Sequence, residues 1–187
     1  MTPEQADLLL DIAEIAIRSR LDGVRYPGPD VTRLPERLTQ PCGTFVTLHV
    51  DGKLNGCIGD MAGDHAVGTM VSMLAVRAAF EDTRLPKLRR RNLSGLHIDV
   101  SLLSPRSAAP AGTRADLLDH LRPSIDGLII TSGDHRAVFL PSVWAQLPRP
   151  DQFVDQLLRK AGLAVGGWPS DMHAETFTTE SFGRHIT

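Results

Sequence analysis

The sequence predicts an α+β protein in which a mostly antiparallel sheet packs against helices. Three observations carry that reading. Residues 43–59, G-T-F-V-T-L-H-V-D-G-K-L-N-G-C-I-G, alternate like two strands around Asp51-Gly52, a dipeptide that supplies the positive φ angles of a tight hairpin turn. Residues 127–140, G-L-I-I-T-S-G-D-H-R-A-V-F-L, repeat the pattern. The strands are joined partly by such hairpins and partly through helical segments, which disfavours the regular alternation of a βαβ array.

At the start, Thr2-Pro3-Glu4-Gln5 offers an N-cap, a proline at the first helical position and a glutamine at the capping-box position. The helix that follows has Leu9, Ile12, Ala13 and Ala16 on one face and Asp7, Asp11, Glu14 and Arg18 on another. Four prolines between Tyr26 and Pro41 predict an ordered surface loop without regular structure, a candidate lid. In the first hairpin, alternation puts Leu54, Gly56 and Ile58 on one face and Asn55 and Cys57 on the other, with Asn55-Gly56 a competing turn signal. Asp64 is placed to cap a mostly buried helix, A-V-G-T-M-V-S-M-L-A-V-R-A-A-F, whose stripe of Met70, Met73 and Leu74 reads as core.

After the basic connector K-L-R-R-R, Leu96, Ile98, Val100 and Leu102 alternate with His97, Asp99 and Ser101, the pattern of a half-buried strand. Residues 108–112, rich in Ala, Pro and Gly, make a joint before the helix A-D-L-L-D-H-L, the second hairpin and the helix D-Q-F-V-D-Q-L-L-R-K-A. Trp144 and Phe139 are expected to pack between lobes. The tail H-A-E-T-F-T-T-E-S-F reads as one last strand.

A chain of 187 residues with 42% hydrophobic content makes one domain, or two small lobes sharing a core. Lys and Arg number 20 against 22 Asp and Glu, so the net charge of -2 gives no general attraction to nucleic acid or an anionic membrane. The dense run Arg89, Arg90, Arg91 is a local exception, either a contact for RNA or an acidic partner, or a solvated connector. The N-terminal segment lacks a basic n-region, and no stretch approaches the roughly 18 apolar residues of a membrane span, so a cytoplasmic location is expected. Cys42 and Cys57 do not form a disulfide framework, and both are expected to be thiols. The histidines show no H-x-x-x-H or H-E-x-x-H spacing, and Gly56, Gly59 and Gly63 do not make a nucleotide loop, so neither a metal nor another cofactor is expected.

Several separate stretches resemble the AMMECR domain family, whose prokaryotic members are named protein A of the AmmeMemoRadiSam system. They are L-N-G-C-I-G against the family's L-R-G-C-I-G, then A-A-F-E-D-T-R-L-P, I-D-V-S-L-L-S-P, L-R-P-S-I-D-G-L-I-I, F-L-P-S-V-W-A-Q-L-P, and L-L-R-K-A-G-L followed by Trp168. The resemblance implies a single domain over 1–187 with an α+β fold of two lobes around a cleft: a larger lobe of 1–107 plus 173–187 and a smaller one of 108–172. It also implies Memo-like and radical-SAM proteins as partners, a modification reaction on RNA or protein, and a cleft position for the G-C-I-G segment.

Cys57 is the candidate catalytic residue, either a nucleophilic or redox thiol or a small packed side chain. Gly56 and Gly59 beside it are candidates for letting a ligand approach the backbone. Asn55 stands where the family has arginine, so a charge that favours a thiolate is replaced by an amide that orients a substrate oxygen or holds the thiol. Asp82 and Arg84 form either a polar cluster near Cys57 or an ion pair that orders their loop. Asp99 and His97 either line the cleft as acid and base or decorate an exposed strand face. Two functions follow: a component of a modification system using the Cys57 thiol, or a non-catalytic adaptor binding a protein partner or nucleic acid through the same cleft.

Overall fold

The computed structural model describes residues 1–186. It holds two compact units, one of Met1–Leu103 with the C-terminal segment from Glu180, the other Ser104–Thr179. The second unit thus extends beyond the expected 108–172 lobe at both ends, because its sheet takes in strands from 107–109 and 173–177.

The first unit begins with α1 (Pro3–Leu21), capped as its first residues dictate: the Thr2 hydroxyl accepts from Gln5 N at 3.3 Å and the Gln5 side chain accepts from Thr2 N at 3.2 Å. The proline-rich segment carries more structure than expected, a 3-10 turn at Val31–Arg33 capped by Asp30 and a short helix α2 (Glu36–Thr39) that buries Leu38. Pro35 stands at the cap of α2, where its carbonyl accepts from Leu38 N at 2.8 Å and its missing N–H is not needed, which is how a helical turn survives among prolines. Strands β1 (Thr44–Val50) and β2 (Lys53–Asp60) form the expected hairpin, with Asp51 at φ 50° and Gly52 at φ 76°. Helix α3 (Val67–Phe80) starts without a side-chain cap, since Ala66 occupies the cap position and Val67 N donates to Gln40 O instead of drawing on Asp64.

The first sheet is completed by β3 (Leu96–Leu103) and β8 (Thr179–His185), in the order β2-β1-β3-β8. α1 and α3 pack on each other, and α3 lies across β1 and β2. Leu9, Ile17, Leu74, Ala75, Val46, Leu48, Ile98 and Val100 interlock between helices and sheet. Each such Leu, Ile or Val contributes about 1.5–3 kcal/mol through burial. Met73 is a departure: it is 46% exposed, on the face of α3 turned away from the sheet, while Met70 and Leu74 are core.

The second unit contains β4 (Ser107–Ala109), α4 (Arg114–His120), β5 (Gly127–Ser132), β6 (His135–Phe139), α5 (Pro150–Lys160) and β7 (His173–Phe177). Its antiparallel sheet has the order β4-β7-β5-β6. The expected single tail strand is therefore two, β7 in this sheet and β8 in the other. Trp144 stacks on Phe153 of α5 at 3.8 Å with rings 3° from parallel, and Phe139 meets Phe153 edge-on. These aromatics form the second unit's own core and not the inter-lobe packing expected of them.

Candidate functional site

The sheet face of the first unit that turns away from α1 and α3 carries the polar residues. Register puts Cys57 of β2, Thr47 of β1 and Asp99 of β3 in one row, and His49 and His97 in the next. The Thr47 hydroxyl donates to the Cys57 sulfur at 3.3 Å. Asp99 stands between two imidazoles, its Oδ2 3.2 Å from His49 Nδ1 and its Oδ1 3.1 Å from His97 Nε2. His185 of β8 extends the group, its ring centroid 4.6 Å from that of His97. Gly183 of β8 leaves the room they occupy, since a Cβ there would overlap the Asp99 carboxylate and the His97 ring.

A carboxylate hydrogen-bonded to His49 Nδ1 holds the proton on that nitrogen and leaves Nε2 as the basic one. Cys57 is half-buried, and its sulfur is positioned by Thr47. Cys42, the other thiol, is held differently: it donates to Leu103 O at 3.1 Å and to Gly43 O at 3.4 Å, and burial pushes its pKa up.

Asp82 and Arg84 reach Cys57 through its backbone. β2 is an edge strand, and at Cys57 its outward N–H donates to Asp82 Oδ2 at 3.0 Å while its carbonyl accepts from Arg84 Nη2 at 3.0 Å. Arg84 also grips the Asp82 carboxylate through Nε at 2.8 Å and Nη2 at 2.7 Å. The hydrogen bonds from Arg84 hold the Asp82 carboxyl well below the usual carboxylate range, against the opposing effect of burial and with help from the Cys57 N–H. The pair therefore acts as a surrogate strand at an exposed sheet edge, and the guanidinium is engaged chiefly by Asp82, its interaction with the Cys57 thiol being the smaller one.

Asn55 and the two glycines depart from their expected roles. The hairpin register slips between Leu48 and His49, leaving Asn55 as an extra residue between Leu54 and Gly56. The bulge turns Leu54 to the face of His49 and Cys57, opposite to the expected side, and leaves it exposed. Asn55 is buried, its Nδ2 donating to Pro86 O at 3.1 Å while its Oδ1 finds no partner among the described residues. Gly56 faces α3, where a Cβ would overlap the Ala78 carbonyl, and Gly59 is covered by the Phe45 ring. The space beside each is filled by the protein's own atoms, so these glycines serve close packing and not ligand approach.

Thr47, His49 and His185 were not singled out by sequence reasoning. The alternation Phe45, Thr47, His49 along β1 was the available signal for the first two; His185 joins only because β8 lies beside β3. Among the described residues, no cluster of three or more His, Cys, Asp or Glu is arranged to hold a metal ion, and no helix is long and apolar enough to cross a membrane.

Fold and site together define an α+β protein of two antiparallel four-stranded sheets, with a thiol on a polar sheet face. The family model AMMECR1 matches residues 10–182, and the chain belongs to that family. A protein of Methanococcus aeolicus is 32% identical over 168 residues, covering 88% of this chain and 83% of its own. A protein of Methanothermobacter thermautotrophicus is 30% identical over 167 residues, covering 87% and 85%. The crystal structure of uncharacterized protein PH0010 from Pyrococcus horikoshii superposes with a TM-score of 0.90 at 25% identity, covering 100% of this chain and 94% of that one.

Proposed function

We propose that this chain is the thiol-bearing component of a modification system that works with a Memo-like protein and a radical-SAM protein, Cys57 acting as nucleophile. Those partners are carried over from the resemblance of the sequence motifs alone. One observation carries the chemistry: the half-buried Cys57 sulfur accepts a hydrogen bond from Thr47 on the same sheet face as the His49–Asp99 pair. In this reading the Cys57 sulfur attacks an electrophilic carbon of the substrate and its proton passes to His49 Nε2. A C–S bond forms as the bond to the leaving group breaks; the leaving group takes that electron pair and the proton from His49. Thr47 stabilises the sulfur while it is anionic, and Asp99 keeps His49 in the tautomer that accepts.

The test is timed alkylation by iodoacetamide at neutral pH, read by peptide mass spectrometry. Cys42 is the slow internal reference and a solvated peptide thiol the external one. Cys57 is expected to outpace the peptide thiol; an equal or lower rate overturns the nucleophile.

A second reading is a non-catalytic adaptor that binds a protein partner through the same face. The engagement of Arg84 by Asp82, with a neutral Asn55 in place of the family's arginine, favours it, because no unpaired cation then attends the thiol. Nucleic acid is the weaker partner for it, given a net charge of -2. In that case Cys57→Ala keeps partner affinity within about 1 kcal/mol.

A further inference from the structure

The helical side of the first unit carries a groove of about 610 Å³ between the C-terminal half of α1, residues 23–28 and the outward face of α3. That volume lies within the range of small-molecule sites. Its apolar lining comes from Ala16, Val24, Met73 and Val76, with the Tyr26 ring beside them. Val24 is 62% exposed and Met73 46% exposed, so two large apolar side chains face the groove instead of the core.

The charged groups in this groove are mostly of one sign. Arg20, Arg25 and Arg77 stand against a single carboxylate, Glu81, and Glu81 is paired with Arg77 at 3.5 Å. Arg20 and Arg25 have no carboxylate partner among the described residues. In the floor, Ser72 is only 6% exposed, lines the groove, and its hydroxyl has no hydrogen-bond partner among the described residues. That hydroxyl is therefore available to donate to a molecule lying in the groove.

We propose that this groove binds a small organic anion with an apolar body. The body lies on Met73, Val76 and Val24, and the anionic head is held by Arg20 and Arg25, with Ser72 donating to an oxygen of the same molecule. Charge decides against a cationic or neutral ligand: two unpaired guanidiniums attract an anion, and the attraction is stronger beside an apolar surface than in open water. The site lies on the opposite side of the sheet from Cys57 and is independent of the chemistry proposed there.

The experiment uses the full chain and anilinonaphthalene sulfonate as fluorescent probe, with decanoate as competitor and decanol as its neutral counterpart. Saturable binding is expected, displaced by decanoate and not by the same concentration of decanol, and weakened by added salt. The double variant Arg20→Gln/Arg25→Gln should lose about tenfold or more in affinity, the size expected when hydrogen bonds from charged donors to an anion are removed. Met73→Glu should abolish binding, whereas Cys57→Ala should leave it unchanged. Arg20, Arg25 and Met73 are exposed, so circular dichroism and melting of these variants should match the parent. Absence of saturable binding, equal displacement by decanol, or affinity untouched in the double variant overturns the proposal. Displacement by an acidic amphipathic peptide and not by decanoate also overturns it, and assigns the groove to a protein segment.

Discussion

Asp82 accepts the backbone N–H of Cys57 at 3.0 Å from a position 25 residues further along the chain. That bond ties the loop after α3 to the free edge of β2, and Arg84 completes it by donating to the Cys57 carbonyl. Asp82→Ala removes the acceptor of two backbone N–H groups, those of Cys57 and Arg84. The expected loss is about 2–3 kcal/mol in urea unfolding, mostly from donors left unmatched, since the Arg84 side chain is largely exposed and its ion pair contributes little. The pH dependence gives a second readout. A carboxyl whose folded pKa is depressed stabilises the fold above its unfolded pKa and loses that contribution as pH falls toward the folded value. Wild type should therefore lose stability steeply below about pH 4, and Asp82→Ala should show a shallower slope there. Parallel acid limbs in the two proteins would count against the clamp.

Gly56 and Gly59 flank the same cysteine, yet their substitutions should differ. A Cβ on Gly56 meets the Ala78 carbonyl of α3, a backbone group that yields only if helix and sheet separate. Gly56→Ala should cost about 3 kcal/mol, the upper end for overpacking. A Cβ on Gly59 meets the Phe45 ring, which has rotamer freedom. Gly59→Ala should cost about 1 kcal/mol. Urea midpoints compare the two directly, and a reversed order would mean that Gly59, not Gly56, limits the approach of neighbouring elements.

How much of this was legible in the sequence depended on range. The Asp51-Gly52 turn, the Thr2 capping box and the alternation of β3 were readable because each is decided within a few residues. The bulge at Asn55 was not, since strand register is set by the partner strand and the hairpin's own alternation runs on unbroken through it. Met73 fell outside the core because α3 is covered by the sheet and α1 on only part of its circumference, which hydrophobicity alone does not reveal. The tail read as one strand because a chain that passes from one sheet to another at Thr178 keeps its β character on both sides. The residues around Cys57 were recognised singly, but whether they touch its thiol or its backbone needed the fold.

Asp99 offers a way to separate chemistry from stability. The side chains of Asp99, His49 and His97 are 36%, 35% and 27% exposed, so Asp99→Asn should cost less than about 1 kcal/mol, as largely solvated ion pairs do. If His49 receives the Cys57 proton, the same substitution should slow alkylation of Cys57 by about tenfold, because the amide no longer enforces the basic Nε2. Gly183→Ala should behave differently. Its Cβ collides with the Asp99 and His97 side chains and also with the Ile98 carbonyl, so a loss of about 2 kcal/mol should accompany any slowing. A variant that slows alkylation at unchanged stability marks the imidazole–carboxylate pair as functional; unchanged alkylation in Asp99→Asn leaves the pair a surface feature.

Asn55, where the resemblance places an arginine, is a buried polar side chain next to Cys57 that is left partly unmatched among the described residues. It is 9% exposed, and its Oδ1 has no partner among the described residues. A buried acceptor without a donor costs about 1–3 kcal/mol. Arginine has donors only, so Asn55→Arg removes the orphaned oxygen and keeps the ability to donate to Pro86 O. The expected result is a gain of about 1 kcal/mol, provided the longer side chain can carry its guanidinium out past the edge of β2. The same substitution should speed alkylation of Cys57, since a guanidinium added two residues from the thiol favours the thiolate. Higher stability with unchanged thiol reactivity would show that an arginine at this position serves the strand edge and not the cysteine. A loss of stability would mean that the bulge at Asn55 has closed around the smaller residue.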